Sequence, residues 1–412
     1  MLSSLCRWVA VLIKSKLTVR SASHPQPHAL LLATVTLVLS QAVFAEGMWR
    51  TSWGISLQQG TDQAVEVSDQ TLRIPLKLSA GGDALRVRIS NEFGDEEMRI
   101  GAASVRLPDG SIVPLQFNGA GATRVAPRSI IVTDPVAHKI GAAADVEVRL
   151  YFPERTRLTT FKRLSAAQGT DISAAGNHTS TADFPISQST YPVFLRAVEV
   201  AADAATPGLV ILSDTKSAAP DTWVPMYADT VAGNIAVTNR SVFAGRMFFG
   251  NDGTSALARF DTDVAATTGA THLLLFVGNN DLIQPGMRGS NGRVMLPPEI
   301  ALSADEIIAQ LHQLAVRAKA LGLKVIAATW LPYAAATPDG YAAPHKLEAR
   351  DRINAWLRTA DIFDAVVDFD AALKDPTDPS FLDKRYDSGN GFTPSPAGYA
   401  RMAEVMAALK LP

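Results

Sequence analysis

Two rhythms divide the chain. From about Met48 to Val200 apolar and polar positions alternate. Leu72, Ile74, Leu76 and Leu78 share one face, Leu85, Val87 and Ile89 repeat the pattern, and Val146, Val148, Leu150 and Phe152 repeat it again. A period of two predicts half-buried strands. Turn signals fall between them: "GGD" at 81–83, "PDG" at 108–110 and "NGAGA" at 118–122. Short alternating strands with regular turns predict an all-β sandwich over 46–200.

The small residues of "AADAATPG", 201–208, read as a linker. Beyond them the period changes. Strands are predicted at 208–212, 234–239, 271–278, 323–330 and 364–370. Helices are predicted at 222–232, 256–267, 303–321, 346–360 and 396–410. "SADE" at 303–306 has the form of a capping box. Continuous apolar runs such as "HLLLFVG" imply strands buried on both faces of a parallel sheet. Residues 209–412 are therefore expected to form a doubly wound α/β domain, whose ligands bind beyond the carboxyl ends of its strands.

Composition adds the compartment. The first 45 residues carry Arg7, Lys14, Lys16 and Arg20, no acid, and the apolar run "HALLLATVTLVLSQAVFA". This predicts a signal peptide over 1–45, with cleavage after Ala45, and a secreted or periplasmic location. A retained anchor is the alternative. No later stretch is apolar for long enough to span a membrane. Without the leader, 34 basic residues face 40 acidic ones. That balance argues against a nucleic-acid partner, which needs a basic face. The single cysteine, Cys6, lies in the leader, so the mature chain has no thiolate for catalysis or zinc and no disulfide.

The chemistry gathers at the predicted strand ends. The first delivers Ser213-Asp214-Thr215-Lys216, the second "NRSVFAGR" at 239–246, and the third Gly278-Asn279-Asn280-Asp281. The C-terminal loop supplies "YDSGNGFTPSPAGYARMAE" at 386–404. With "LARFDTDV" and "TPSPAGYARMA", this order resembles the SGNH, or GDSL-type, hydrolases. "MWRTSWGISLQ" and "RVRISNEFG" resemble members with an N-terminal β-sandwich. The resemblance implies an ester hydrolase with a Gly-Asp-Ser nucleophile turn. It also implies an oxyanion hole completed by a second-block Gly and the Asn of Gly-x-Asn-Asp, and an Asp-x-x-His pair. No cofactor or metal is implied, and the partner expected is a small-molecule or carbohydrate ester.

Carried over by position, the turn becomes Ser213-Asp214-Thr215, with Thr215 as nucleophile. The second-block Gly falls on Ala244, with Gly245 one residue on. Gly278 and Asn280 are intact, and the acid–base pair becomes Asn390 and Thr393. A hydroxyl needs a base to take its proton, and Thr393 has none to offer. Lys216, His345 and Asp387 are the candidate replacements. Three readings follow: a catalytically degenerate esterase fold that binds an acylated or carbohydrate-type ligand, an active ester hydrolase with a rearranged site, or a structural or partner-binding envelope protein.

Overall fold

The computed structural model describes residues 48–60, 65–163, 169–250, 254–289 and 291–411, and of Thr215 and Lys216 it describes the backbone alone. The expected signal peptide lies outside the described residues. Ten strands build the two main sheets of the N-terminal half. They are β1 (Met48–Gly54), β2 (Gln70–Lys77), β3 (Leu85–Ser90), β4 (Ala102–Arg106), β5 (Ile112–Pro114), β6 (Ile130–Val132), β7 (Asp145–Phe152), β8 (Thr170–Ala175), β9 (Ile186–Thr190) and β10 (Leu195–Ala202). They form two antiparallel sheets, in order β1-β10-β3-β6 and β9-β8-β2-β7-β4-β5. The alternating residues meet between the sheets. Leu72, Ile74, Val148 and Leu150 from one side and Val87, Ile89 and Val198 from the other are fully buried. Phe152 and Phe194 close this core with ring centroids 5.6 Å apart.

The second half is a five-stranded parallel sheet. Its strands are β11 (Gly208–Ser213), β12 (Ala236–Asn239), β13 (His272–Phe276), β14 (Lys324–Ala328) and β15 (Ala365–Val367), in order β12-β11-β13-β14-β15. Every residue of β11 and β13 is buried. The order reverses between β11 and β13, which makes their carboxyl ends the expected ligand crevice. Around the sheet lie α1 (Thr215–Ala218), α2 (Trp223–Thr230), α3 (Asn279–Ile283), α4 (Ala304–Ala320), α5 (Pro344–Thr359), α6 (Phe369–Leu373) and α7 (Pro396–Ala408). The Ser303–Glu306 capping box opens α4, and its Ile307, Leu311, Leu314 and Ala318 form one buried stripe.

Two elements depart from the sequence reading. The segment read as a linker is shorter, because β10 runs to Ala202 and β11 begins at Gly208. Arg50 ties the remainder down by donating to the carbonyls of Thr206 and Ala204. The ladder with β1 favours extension of these small residues over a free connection. The predicted helix at 256–267 is a succession of turns with one wide π-turn, Asp261–Ala265. Its apolar spacing is helical, but Asp263 is drawn towards Ser56 and Arg196 of the sandwich, and one extra residue widens the turn.

The two layers are welded at the β12 edge. Val237 N donates to Ser79 Oγ, Thr238 Oγ1 donates to the Thr51 carbonyl, and Ile55 bridges to Asn239. The sandwich thus covers a strand that would otherwise expose unpaired backbone. The described residues form one compact unit. Among them no helix is long and apolar enough to cross a membrane.

Candidate functional site

The all-apolar β11 ends at Ser213, and the chain turns at once into the single turn of α1. The two serine hydroxyls of this turn are committed. Ser213 Oγ lies 2.7 Å from Ser217 Oγ, which also accepts a hydrogen bond from Trp223 Nε1 at 2.9 Å. Asp214 is buried beside them. The side chains of Thr215 and Lys216 lie outside the described residues.

The second block docks under this turn. Asn239 Nδ2 donates to the Ser217 carbonyl at 2.8 Å. At Ala244 the backbone is left-handed, with φ 53°. A side chain in that region costs about 1–2 kcal/mol, and glycine avoids the cost. The left-handed residue is Ala244 and not Gly245, so Ala244 stands at the conformation a glycine would fill. Ala244→Gly is expected to raise the unfolding free energy by about 0.5–1 kcal/mol, after the larger entropy of an unfolded glycine is subtracted. A urea titration at neutral pH measures it; an unchanged or lowered midpoint would mean that the left-handed turn is not strained.

The third block supplies the best-defined contacts. Gly278, at φ 103°, turns β13 into α3. A Cβ there would sit 3.2 Å from Trp330, so glycine is required by conformation and by space. Asn280 is buried and donates from Nδ2 to the Gly245 carbonyl at 2.7 Å. An amide has two N–H donors, and the other is uncommitted among the described residues. Asp281 pins the second block: its carboxylate accepts from Met247 N at 2.6 Å and Phe248 N at 3.0 Å, with the Arg246 guanidinium 3.7 Å away. Burial pushes the Asp281 carboxyl up, against these partners. The Asn279 Oδ1 is buried without a hydrogen-bond partner, and Asn279 shares a small pocket with Asp214, Phe276, Trp330 and Leu331.

The C-terminal block is built differently from an acid–base pair. Asn390 Oδ1 accepts from the amides of Phe392 and Thr393, at 3.1 and 2.8 Å, and its Nδ2 donates to Thr393 Oγ1 at 3.1 Å. The two side chains close a local turn on each other. Asp387 is likewise used within the loop, accepting from Gly389 and Gly391 amides at about 3 Å. His345 is exposed on the first turn of α5. Of the other histidines in the described residues, His272 starts β13, at the far end of the sheet, and His312 is exposed on α4.

A roof of aromatic side chains lies over these strand ends. Tyr341 packs on Phe392 with centroids 4.5 Å apart and on Tyr333 at 5.4 Å, and is only 4% exposed. Burial first, then Tyr333 and Asp214, holds its phenol well above the ordinary value. Tyr399 of α7 is pushed up to about 12 by burial, then by Asp221 and Asp214. The Asp214 carboxylate contributes to both shifts. Lys346 latches the roof. Its buried ammonium donates to the carbonyls of Ile283, Pro285 and Gly340, at 2.8, 2.8 and 2.7 Å. The sequence reading missed Tyr341 and Lys346, although they flank His345 in "GYAAPHKLEAR"; only their burial distinguishes them.

The structure thus joins Gly245 to Asn280 and Asn390 to Thr393. Among the described residues neither His345 nor Asp387 shows a hydrogen bond to the 213–217 turn; Asp387 bonds within its own loop. No group of three potential metal ligands occurs among the described residues.

A GDSL-like Lipase/Acylhydrolase family model matches residues 174–401, more than half of the chain, and the chain belongs to that family. Solved structures that it resembles include a putative lipolytic protein of the G-D-S-L family from Desulfitobacterium hafniense, 19% identical, covering 49% of this chain and 99% of that one, with a TM-score of 0.37. A putative acylhydrolase from Bacteroides fragilis is 20% identical, with 50% and 88% covered and a TM-score of 0.38. A GDSL-like lipase from Bacteroides thetaiotaomicron is 20% identical, with 49% and 86% covered and a TM-score of 0.37. No curated protein matches the chain.

Proposed function

We propose that this GDSL-fold chain is exported and is a degenerate esterase: it keeps the oxyanion side of the cleft and binds an acylated or carbohydrate-type ligand without efficient turnover. The observation that carries the reading is the Asn390–Thr393 turn. The two side chains that would orient and supply the base are hydrogen-bonded to each other and to their own loop amides. Losing the base of a serine-type triad costs about 10⁶ in turnover. Fixed donors that remain, Asn280 and the neighbouring amides, still support about 10³–10⁴ over water. Mature protein assayed on a short-chain acyl ester is expected to turn over several orders of magnitude below an intact triad. Turnover on the order of 10 per second, lost in Thr215→Ala, would overturn the reading and establish an active, rearranged site.

The partner-binding reading has one observation in its favour. Tyr341 and Phe392, close to the Asn390–Thr393 turn, are packed on each other at 4.5 Å, and a cleft closed by aromatic packing presents a surface more readily than it admits a ligand.

A further inference from the structure

A second cavity lies where the sandwich meets the α/β layer. Its volume is about 310 Å³, near the lower end of the roughly 300–1,000 Å³ of small-molecule sites. Trp53, Ile55, Leu78, Val224, Pro225 and Val237 give it apolar walls. None of Asp214, Ala244, Asn280 or Thr393 lines it, although Ala218 of α1 and Asn239 do.

One charged group intrudes. Lys162 lines the cavity and is 4% exposed. Behind it lies a buried charge cluster. Arg196 pairs with Glu92 at 2.5 Å and with Asp263 at 3.1 Å, Arg259 pairs with Asp263 at 2.5 Å, and Arg240 is buried beside them. With Lys162 that is four cations against two anions. Burial first, then Arg240 and Arg259, lowers the Lys162 amine to about 7, with Asp263 opposing. The rim pair, Lys77 and Asp229 at 2.8 Å, balances itself. A buried excess of positive charge is expensive unless an anion joins it.

We propose that this cavity binds a short-chain aliphatic carboxylate, its alkyl chain against the apolar walls and its carboxylate paired with Lys162. The volume holds about ten groups at roughly 30 Å³ each, which matches octanoate. Pairing in this low-dielectric site strengthens the ion pair and restores the proton to the amine. Binding therefore takes up a proton once the free amine has lost its own. The sign is fixed: affinity is highest between about pH 5, where the ligand carboxyl ionises, and pH 7, and falls as the pH rises further.

Calorimetry with sodium octanoate and with octanol on the mature protein tests this. Octanoate is expected to bind at least about tenfold more tightly than octanol at pH 6.5, and to lose about tenfold or more between pH 7 and 9. Lys162→Met should remove the preference for the carboxylate and flatten the pH profile. Ala228→Phe, on the cavity wall, should block both ligands while leaving the charge cluster intact. The proposal fails if octanol binds as well as octanoate, if Lys162→Met leaves octanoate affinity unchanged, or if neither ligand binds at millimolar concentration. If Lys162→Met does not fold, the pH profile of the wild type and the Ala228→Phe block decide.

Discussion

Asp263→Asn is expected to lower the unfolding free energy by about 3–5 kcal/mol, the largest stability loss from a single change of the same size. The carboxylate is buried and holds together parts of both layers. Its Oδ2 accepts from Ser56 Oγ at 2.7 Å and from Arg259 at 2.5 Å, and its Oδ1 accepts from Arg196 at 3.1 Å. Arg240, also buried, donates to the Ile55 and Thr267 side of the same junction. An amide of equal shape leaves three guanidinium groups facing each other without their shared anion. The change also has a pH signature. Burial would raise the Asp263 carboxyl, but Arg259, Arg196 and Arg240, with the Ser56 hydrogen bond, hold it below its ordinary value of 3.8. Its folded value is thus lower than its unfolded one. The stability it contributes is present above about pH 4 and is lost as the pH falls through the folded value. Urea midpoints at pH 7 and pH 3 measure both effects. Between pH 7 and pH 3 the variant should recover up to about 1 kcal/mol of its deficit, the most that one proton with an unfolded value of 3.8 contributes over that range. A deficit under about 1 kcal/mol at pH 7 would mean that the arginines need no common anion, and would also weaken the case for an anion beside Lys162.

The strands that carry the site were legible because they are continuous apolar runs. β11 and β13 are buried throughout, and among the described residues no other strand of this length is. The turn at 256–267 was misread because what bends it is remote: Ser56 and Arg196 lie far away in the chain, and no local spacing records an ion pair with the other layer. The left-handed Ala244 was legible only through the family resemblance, since alanine carries no mark of positive φ. The same limit hid Lys162. A lone lysine in an alternating β segment reads as a solvated face, and it is buried only because the α/β layer closes over it. At the cleft, the residue types at 390 and 393 were legible, and with them the absence of a base. That these two side chains bond to each other, and that Tyr341 lies against Phe392, depends on the contact between the C-terminal loop and the 333–343 loop, which spacing alone does not report.

The largest change in activity is expected from restoring the four altered positions together. Ser213→Gly, Thr215→Ser, Asn390→Asp and Thr393→His should raise kcat/KM on a short-chain ester by about 10³-fold or more, with each single change giving under about tenfold, because a triad acts as a unit. The surroundings are compatible at three positions. Removing the Ser213 hydroxyl leaves Ser217 still bound to Trp223 Nε1. At 390 the carboxylate keeps the shape of the amide and can still accept from the 392 and 393 amides. It loses the Nδ2 donor that now meets Thr393 Oγ1, and the imidazole N–H of His at 393 replaces that hydrogen bond from the other side. The aspartate would then fix the tautomer, leaving the other ring nitrogen to take the serine proton. The obstacle is space, since Phe392 is packed on Tyr341 at 4.5 Å and Tyr341 is buried near Asp214. Adding Tyr341→Ala opens the roof without touching the four restored groups, and adding Ala244→Gly relaxes the oxyanion turn. Activity that appears only with Tyr341→Ala would identify the roof, not the missing base, as the main barrier to substrate. If all of these variants fold, shown by wild-type urea midpoints within about 1 kcal/mol, and none hydrolyses the ester, the degenerate-esterase reading falls and the partner-binding reading takes its place.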